Sequence, residues 1–246
     1  MKWDRAGHVV ALKAPVIESR LYRVCCVTDT DHLATVRAVY DATAERYAQV
    51  VGSELSEFYE RPLDLAFLSA FVELVGVESG LVGDLGCGPG RATAFLSARG
   101  LETVGVDPSQ AMLSVARQAH PGIRFEEGFL SALPFPDGFL VGAVCWYSII
   151  HTPPDHLGEV FAELGRVLRG GGHLLLAFQA GDGEAVSRDD AYGTGFTLTN
   201  YRHSPDYVAR TLAAAGLQVS AQTLREPELD HESTPQAFIL AVDPDR

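Results

Sequence analysis

The residues with the clearest chemical use lie in Val82–Thr93, VGDLGCGPGRAT. A short apolar run enters Asp84, Gly86, Gly88 and Gly90 follow in G-x-G-x-G spacing, and a helical pattern starts at Arg91. A buried strand, a glycine turn and a helix start in that order present a nucleotide-like ligand to a helix N-terminus. Gly86 and Gly88 permit backbone angles and approach distances that a Cβ forbids, and Pro89 stiffens the turn ahead of the helix. Roughly 20 residues further on, the strand pattern Glu102–Val106 ends in Asp107, the position from which an acid reaches ribose hydroxyls. The third glycine comes one residue earlier than in the dinucleotide fingerprint G-x-G-x-x-G, which argues against a dehydrogenase. A glycine turn and a strand-ending Asp are each ordinary structural features. Their combination at this spacing points to a nucleoside ligand.

A second reactive group, His151, follows the apolar run Leu140–Ile150. It sits just past the carboxyl end of a central strand, where open α/β sheets bind ligands, and its ordinary pKa suits proton transfer near neutrality. It reads either as a base or substrate contact, or as a histidine that caps the strand or bonds a loop carbonyl. Tyr147 carries the same two readings. His203, in Tyr201–Ser204, reads as surface or pocket rim. No His/Cys/Asp grouping has metal-ligand spacing, so no metal is expected.

Helix–strand alternation by itself supports a doubly wound α/β sheet. One helix is expected from Asp31 as N-cap, with Leu33, Val36, Val39 and Tyr40 forming its apolar stripe, and a second from Arg61-Pro62 to Val75. Tyr40 and Tyr47 share one face of the first helix, for packing or as part of a lid. Ser109–Ala119 reads as a helix, Ile123–Phe125 as a short strand, and Leu140–Ile150 as a central parallel strand buried on both faces. Asp155 is the expected N-cap of a helix His156–Leu168, ended by Arg169–Gly172 and followed by a strand His173–Phe178. Phe196–Tyr201 reads as an extra strand, Pro205–Ala215 as a helix stopped by Gly216, and Leu217–Thr223 and Ala237–Val242 as the last strands.

The loop D-x-G-C-G-P-G, followed by V-G-V-D-P-S, resembles motifs I and II of the class I S-adenosylmethionine-dependent methyltransferases of small-molecule type. Tyr40–Tyr47 is similar to the "YD…A…Y" helix that precedes the cofactor domain in that family and closes over its active site. Glu163–Gly172 is similar to its "E-x-x-R-V-L-x-P-G-G", and Gly128–Phe135 keeps the frame of its G-D-x-x-x-L-P-F. Two positions depart from the pattern: Phe129 stands where an Asp would bind the adenine amino group, and Leu140-Val141 replace Phe-Asp. The likeness covers about residues 33–242. It implies a Rossmann-like, seven-stranded, mainly parallel sheet with an N-terminal helical lid, residues 27–78 forming the lid and 79–246 the cofactor-binding sheet. It further implies S-adenosylmethionine as cofactor, with Asp84 and the loop amides of Gly86, Cys87 and Gly88 at its methionine end. Asp107 would accept from ribose, Met112 and Phe129 would pack on adenine, and Tyr40, Pro108, Leu130 and Trp146 would complete the site. Backbone or Glu127 would read the adenine edge in place of the missing Asp. His151, with Tyr147, would serve the methyl acceptor.

Composition sets the limits. The 246 residues are 47% hydrophobic and 21% charged, an ordinary globular balance rather than a disordered one. No run approaches the ~18 apolar residues of a membrane span. A net charge of −13 without a basic tract argues against nucleic acid as partner. The four cysteines form no disulfide or zinc pattern, Cys25-Cys26 included, which suits a reducing cytoplasm. Residues 1–26 hold both lysines, lack clean periodicity and are expected to lie outside the fold, with Val27 resembling a protein start. The expected activity is O- or N-methylation of a natural-product-type metabolite in secondary metabolism, by a monomer or homodimer. Alternatives are a non-catalytic cofactor-binding protein and a protein or nucleic-acid methyltransferase. His151-Thr152-Pro153-Pro154-Asp155 has the place of the amino-group DNA methyltransferase motif but neither its amide nor its aromatic.

Overall fold

The computed structural model describes residues 2–3, 9–10, 29–77 and 80–244. Lys2–Trp3 (β1) pairs antiparallel with Val9–Val10 (β2). The rest of the expectation for residues 1–26, and that for Val27, fall outside the described residues. The first long element is helix α1 (Asp29–Val51), already under way at Asp31, so the expected N-cap there is not one. Pro62 opens α2 (Pro62–Val75) as its first helical residue, where its missing N–H costs nothing.

The sheet elements then follow in order: β3 (Leu81–Leu85), α3 (Arg91–Ser97), β4 (Glu102–Asp107), α4 (Gln110–Ala119), β5 (Arg124–Glu127) and β6 (Leu140–Trp146). After them come α5 (Leu157–Val167), β7 (Leu168–Gln179), β8 (Ala185–Arg188), β9 (Leu198–Tyr201), α6 (Pro205–Ala214), β10 (Gln218–Arg225) and β11 (Gln236–Val242). Seven strands form one sheet in the order β10-β11-β7-β6-β3-β4-β5. The strands from β7 to β5 run parallel, and β11 lies antiparallel to both its neighbours. This is the doubly wound, mainly parallel sheet expected. The strand order reverses direction between β3 and β6, and the crevice at such a switch point is where these sheets bind ligands.

Residues on the two faces of the sheet divide the core. Leu157, Val160, Phe161 and Leu164 of α5, with Val208 and Leu212 of α6, fill one face. Leu68, Phe71, Val72 and Val75 of α2 fill the other. A Cβ on Gly142 of β6 would meet Phe71 and Val75 at 2.9 Å, so α2 lies directly on the strand backbone. This corrects the extent of the lid: α2 belongs to the core because its apolar face is buried, whereas α1 lines the crevice and the β8–β9 hairpin packs on α1. That hairpin is a two-stranded sheet of its own; Ala191 and Leu198 pack with Val36 and Val39 of α1.

Three boundaries differ from expectation at the end of the central strand. β6 stops at Trp146 rather than Ile150, because Tyr147 takes a left-handed conformation (φ +58°) and Ile149–His151 form a 3-10 turn. The apolar run continues only because Ile149 and Ile150 are buried in the turn. Asp155 lies in a second 3-10 turn, Pro154–His156, and α5 begins at Leu157 without a side-chain cap. β7 begins at Leu168, five residues early, its pairing with β6 shifting between Leu140 and Gly142 to absorb the glycine run.

Arg225, close enough to Tyr147 to act on it electrostatically, ties α2 to the last strands. It bonds Asp64 of α2 through Nε at 2.8 Å and Nη2 at 3.0 Å, and Glu232 through Nη2 at 2.6 Å and Nη1 at 2.9 Å. All three side chains are buried.

Candidate active site

The glycine turn at the end of β3 is built by its own backbone. Gly86 and Cys87 donate their N–H groups to the Val106 carbonyl at 2.7 and 3.0 Å, and Gly88 donates to Asp107 Oδ2 at 2.9 Å. These three amides are therefore taken by the protein, which corrects the expectation that they hold the ligand's carboxylate. Gly86 is required by both conformation and space, since φ is +81° and a Cβ would meet Ser148 Cβ at 2.3 Å. Gly88 (φ +52°) has no atom within 4 Å of where its Cβ would be, an open cradle on the crevice side.

Two acids flank the turn. Asp84 is buried; its Oδ2 accepts from Thr93 Oγ1 at 2.5 Å, while Oδ1 has no partner among the described residues. Asp107 Oδ1 accepts from Ser109 N at 2.9 Å, so each of its oxygens holds one amide and keeps lone pairs for another donor. Burial pushes both carboxyls up to about 6. Glu127, the alternative reader of a base edge, instead binds Gln110 Nε2 at 2.5 Å and Arg37 Nη2 at 3.1 Å, outside the cleft lining.

The strand end opposite carries further unpaired polar groups. Trp146 Nε1 and Ser148 Oγ are buried without partners. Between them the strained Tyr147 backbone turns the ring edge-on to Trp146, at 5.7 Å. His151 is bonded on three sides. Its Nδ1 lies 3.5 Å from the Thr199 carbonyl in β9, its Nε2 lies 2.8 Å from Tyr40 Oη, and its own carbonyl accepts from His32 Nε2 at 2.7 Å. A carbonyl can only accept, so Nδ1 carries the proton and Nε2 accepts from the tyrosine hydroxyl. Burial pushes the imidazole down to about 4, which corrects the expectation of a near-neutral pKa. His203 is also corrected: it is fully buried, its Nε2 on the Ile149 carbonyl at 3.1 Å, anchoring the turn that carries His151.

One cleft is lined by every expected residue: Tyr40, Asp84, Gly86, Cys87, Gly88, Asp107, Pro108, Met112, Phe129, Leu130 and Trp146, with Tyr147 and His151. Sequence reasoning missed Arg91, which also lines it. Arg91 Nη2 reaches both oxygens of buried Glu60 at 2.8 Å, Nε reaches the Glu54 carbonyl at 3.1 Å, and the guanidinium sits 5.4 Å from the Tyr59 ring centre. Its place at the end of the glycine motif was a signal; Glu60, 31 residues upstream, had none. Tyr40 and Tyr47 pack edge-to-face at 5.8 Å, and Tyr192 of the hairpin continues the wall 5.5 Å from Tyr47. No His/Cys/Asp/Glu group among the described residues could hold a metal ion.

Residues 82–172 match a family model described as a methyltransferase domain. Over these residues the chain is similar to a methyltransferase domain. The chain is 31% identical over 148 residues to a trans-aconitate 2-methyltransferase of Methylobacterium nodulans, covering 58% of this chain and 52% of that one. It is 29% identical to a malonyl-[acyl-carrier protein] O-methyltransferase of Pectobacterium atrosepticum, covering 61% and 58%. The matched region thus spans less than two-thirds of these relatives' length. Among solved structures, a Burkholderia thailandensis 1,6-didemethyltoxoflavin-N1-methyltransferase holding S-adenosylhomocysteine has the same fold, with a TM-score of 0.66 at 19% identity over 89% of this chain and 91% of that one. In this chain the glycine turn, Asp84 and Asp107 occupy the carboxyl ends of β3 and β4, beside the switch point. No helix among the described residues is long and apolar enough to cross a membrane.

Proposed function

We propose that the protein is an S-adenosylmethionine-dependent methyltransferase acting on a small-molecule acceptor by O- or N-methylation. The observation that carries this reading is Asp84 Oδ1, a buried carboxylate oxygen without a partner at the rim of an open glycine cradle. An ammonium group satisfies it. The cleft lining holds Asp84, Asp107 and Glu159 against one arginine already paired to Glu60, a surplus of negative charge that suits a cationic cofactor. Asp107 can accept from a ribose diol, and Met112, Phe129 and Leu130 offer apolar surface to a base. When bound, the cofactor supplies a methyl group on a positively charged sulfur, ready for direct displacement. The chain's own residues bind, orient and exclude water, and orientation alone lowers such barriers by several kcal/mol.

The acceptor lies, on this reading, between the carboxyl end of β6 and a lid made of α1 and the β8–β9 hairpin. Tyr47, Tyr147 and His151 surround it with aromatic and hydrogen-bonding groups, which suits a small, partly apolar metabolite of natural-product type in a cytoplasmic setting. Calorimetry tests the cofactor assignment: S-adenosylhomocysteine should bind and nicotinamide dinucleotides should not. Asp107→Ala should weaken binding by ~1.5–3 kcal/mol, the range for hydrogen bonds to a charged group. Melting curves on the same sample separate a lost contact from a lost loop, and unchanged affinity would remove Asp107 from the site.

A further inference from the structure

A carboxylate acceptor needs a counter-charge and no base; a hydroxyl or ring N–H needs the reverse. The cleft is furnished for the second case. Its lining contains no lysine, its single arginine is held by Glu60, Glu54 and Tyr59, and its carboxylates would repel an anion. The nearest further cation, Arg188 of the hairpin, stays outside the lining, 6.0 Å from the centre of the Tyr192 ring. At the acceptor end, two elements converge on His151. α1 supplies Tyr40 Oη at 2.8 Å from Nε2 and His32 to the His151 backbone carbonyl, and β9 supplies the Thr199 carbonyl that takes Nδ1–H. His151 is thus fixed with its lone pair directed at a tyrosine hydroxyl, and that hydroxyl oxygen retains lone pairs of its own.

We propose that Tyr40 and His151 form a proton relay for an uncharged acceptor bearing an O–H or ring N–H. Tyr40 Oη takes the acceptor's proton while passing its own to His151 Nε2. The inference rests on methyl transfer being the reaction. Writing the acceptor as X–H, the X–H and S–CH3 bonds break and the X–CH3 and Nε2–H bonds form. The S–C electron pair remains on sulfur, and the former X–H pair makes the new bond to carbon. Tyr40 ends as it began. The positive charge given up with the methyl group reappears on the imidazole, so the cleft's net charge is unchanged by the step. Two directions of pKa fit this division of labour. Burial drives the Tyr40 phenol well above its ordinary value, so it hands a proton on without ionising, and it keeps His151 unprotonated at rest.

Two measurements test the relay. Nitrogen-15 NMR of the histidines in the unliganded protein should show His151 neutral at neutral pH, as the Nδ1–H tautomer, with its Nε2 resonance shifted in Tyr40→Phe. A charged His151, an Nε2–H tautomer, or no response to Tyr40→Phe overturns the proposal whether or not an acceptor is known. Methyl transfer from labelled S-adenosylmethionine to a panel of phenols, N–H heteroaromatics and carboxylates, trans-aconitate among them, is the second. Label should enter the uncharged O–H or N–H compounds. Tyr40→Phe and His151→Ala should each lower kcat roughly 10²–10⁴-fold, with S-adenosylhomocysteine affinity retained in His151→Ala. Label in carboxylates alone, or full kcat in Tyr40→Phe, overturns the relay. Failure of the wild type to bind S-adenosylhomocysteine instead removes the methyltransferase reading, and the NMR result then still decides the hydrogen-bonded pair.

Discussion

Asp84 and Asp107 sit in the protein at a cost. A carboxyl whose folded pKa is raised above its unfolded value binds more protons in the native state. Stability therefore falls as pH rises from about 4 to about 6 on their account. Ligand binding runs the other way, because an ammonium needs Asp84 ionised. Calorimetric affinity for S-adenosylhomocysteine should rise as pH climbs from about 5 to about 7, following the Asp84 value of about 6. Asp84→Asn should flatten that rise and increase the melting temperature of the unliganded protein. A pH profile unchanged by Asp84→Asn refutes the assignment of its free oxygen to the ammonium. Both acids were legible in the sequence because their neighbours, a glycine turn and a strand end, are local. The partner of His151 was not: Tyr40 is 111 residues away, and no local pattern marks a hydroxyl that only the fold brings within 2.8 Å. His203 was misread for the same reason, since nothing near it in sequence announces a fully buried imidazole.

At the scale of the element, the glycine turn separates two demands that its motif merges. Gly86 serves the fold, because both its φ and the Ser148 side chain exclude a Cβ; at Gly88 a Cβ would project into open space, where the proposed ligand would sit. Gly86→Ala should lose at least ~2 kcal/mol of stability, seen as a lower melting temperature, from left-handed strain plus the clash. Gly88→Ala should lose only ~1–2 kcal/mol for its backbone angle yet bind S-adenosylhomocysteine markedly more weakly. Equal affinities in Gly88→Ala and wild type rule out the cradle as the ligand's seat. Strand and helix positions were largely readable from periodicity. The end of β6 was not, because Ile149 and Ile150 extend an apolar run through a buried turn, and hydrophobicity alone does not distinguish the two. The hairpin strand β8 was missed because all four of its residues are exposed, leaving no alternation to read.

For the whole molecule, Arg225 joins α2 to the β10 edge and to the loop before β11, across 161 residues of chain. Arg225→Ala leaves two buried carboxylates uncompensated and should cost about 3–5 kcal/mol in denaturant unfolding. Replacing Arg225, Asp64 and Glu232 together with apolar residues of similar volume should cost far less. Equal losses would show that the charges act independently. The same region of the sheet has a consequence for synthesis. Strand β11 is inserted between β7 and β10 although it follows both in the chain, and β10 has no other neighbour. Every residue lining the cleft lies between His32 and Val160 and the hairpin beside it ends at Tyr201, so a ribosome completes the chemistry-bearing part before β11. Until Gln236–Val242 emerges, the leucine-rich strand β7 offers an unpaired edge, and β10 has nothing to bind. A nascent chain in that interval has an adhesive flank, the form in which strands join the wrong partner. The period of greatest risk for this protein is thus the interval before Gln236–Val242 is made, when its site is already in place and its sheet is still open.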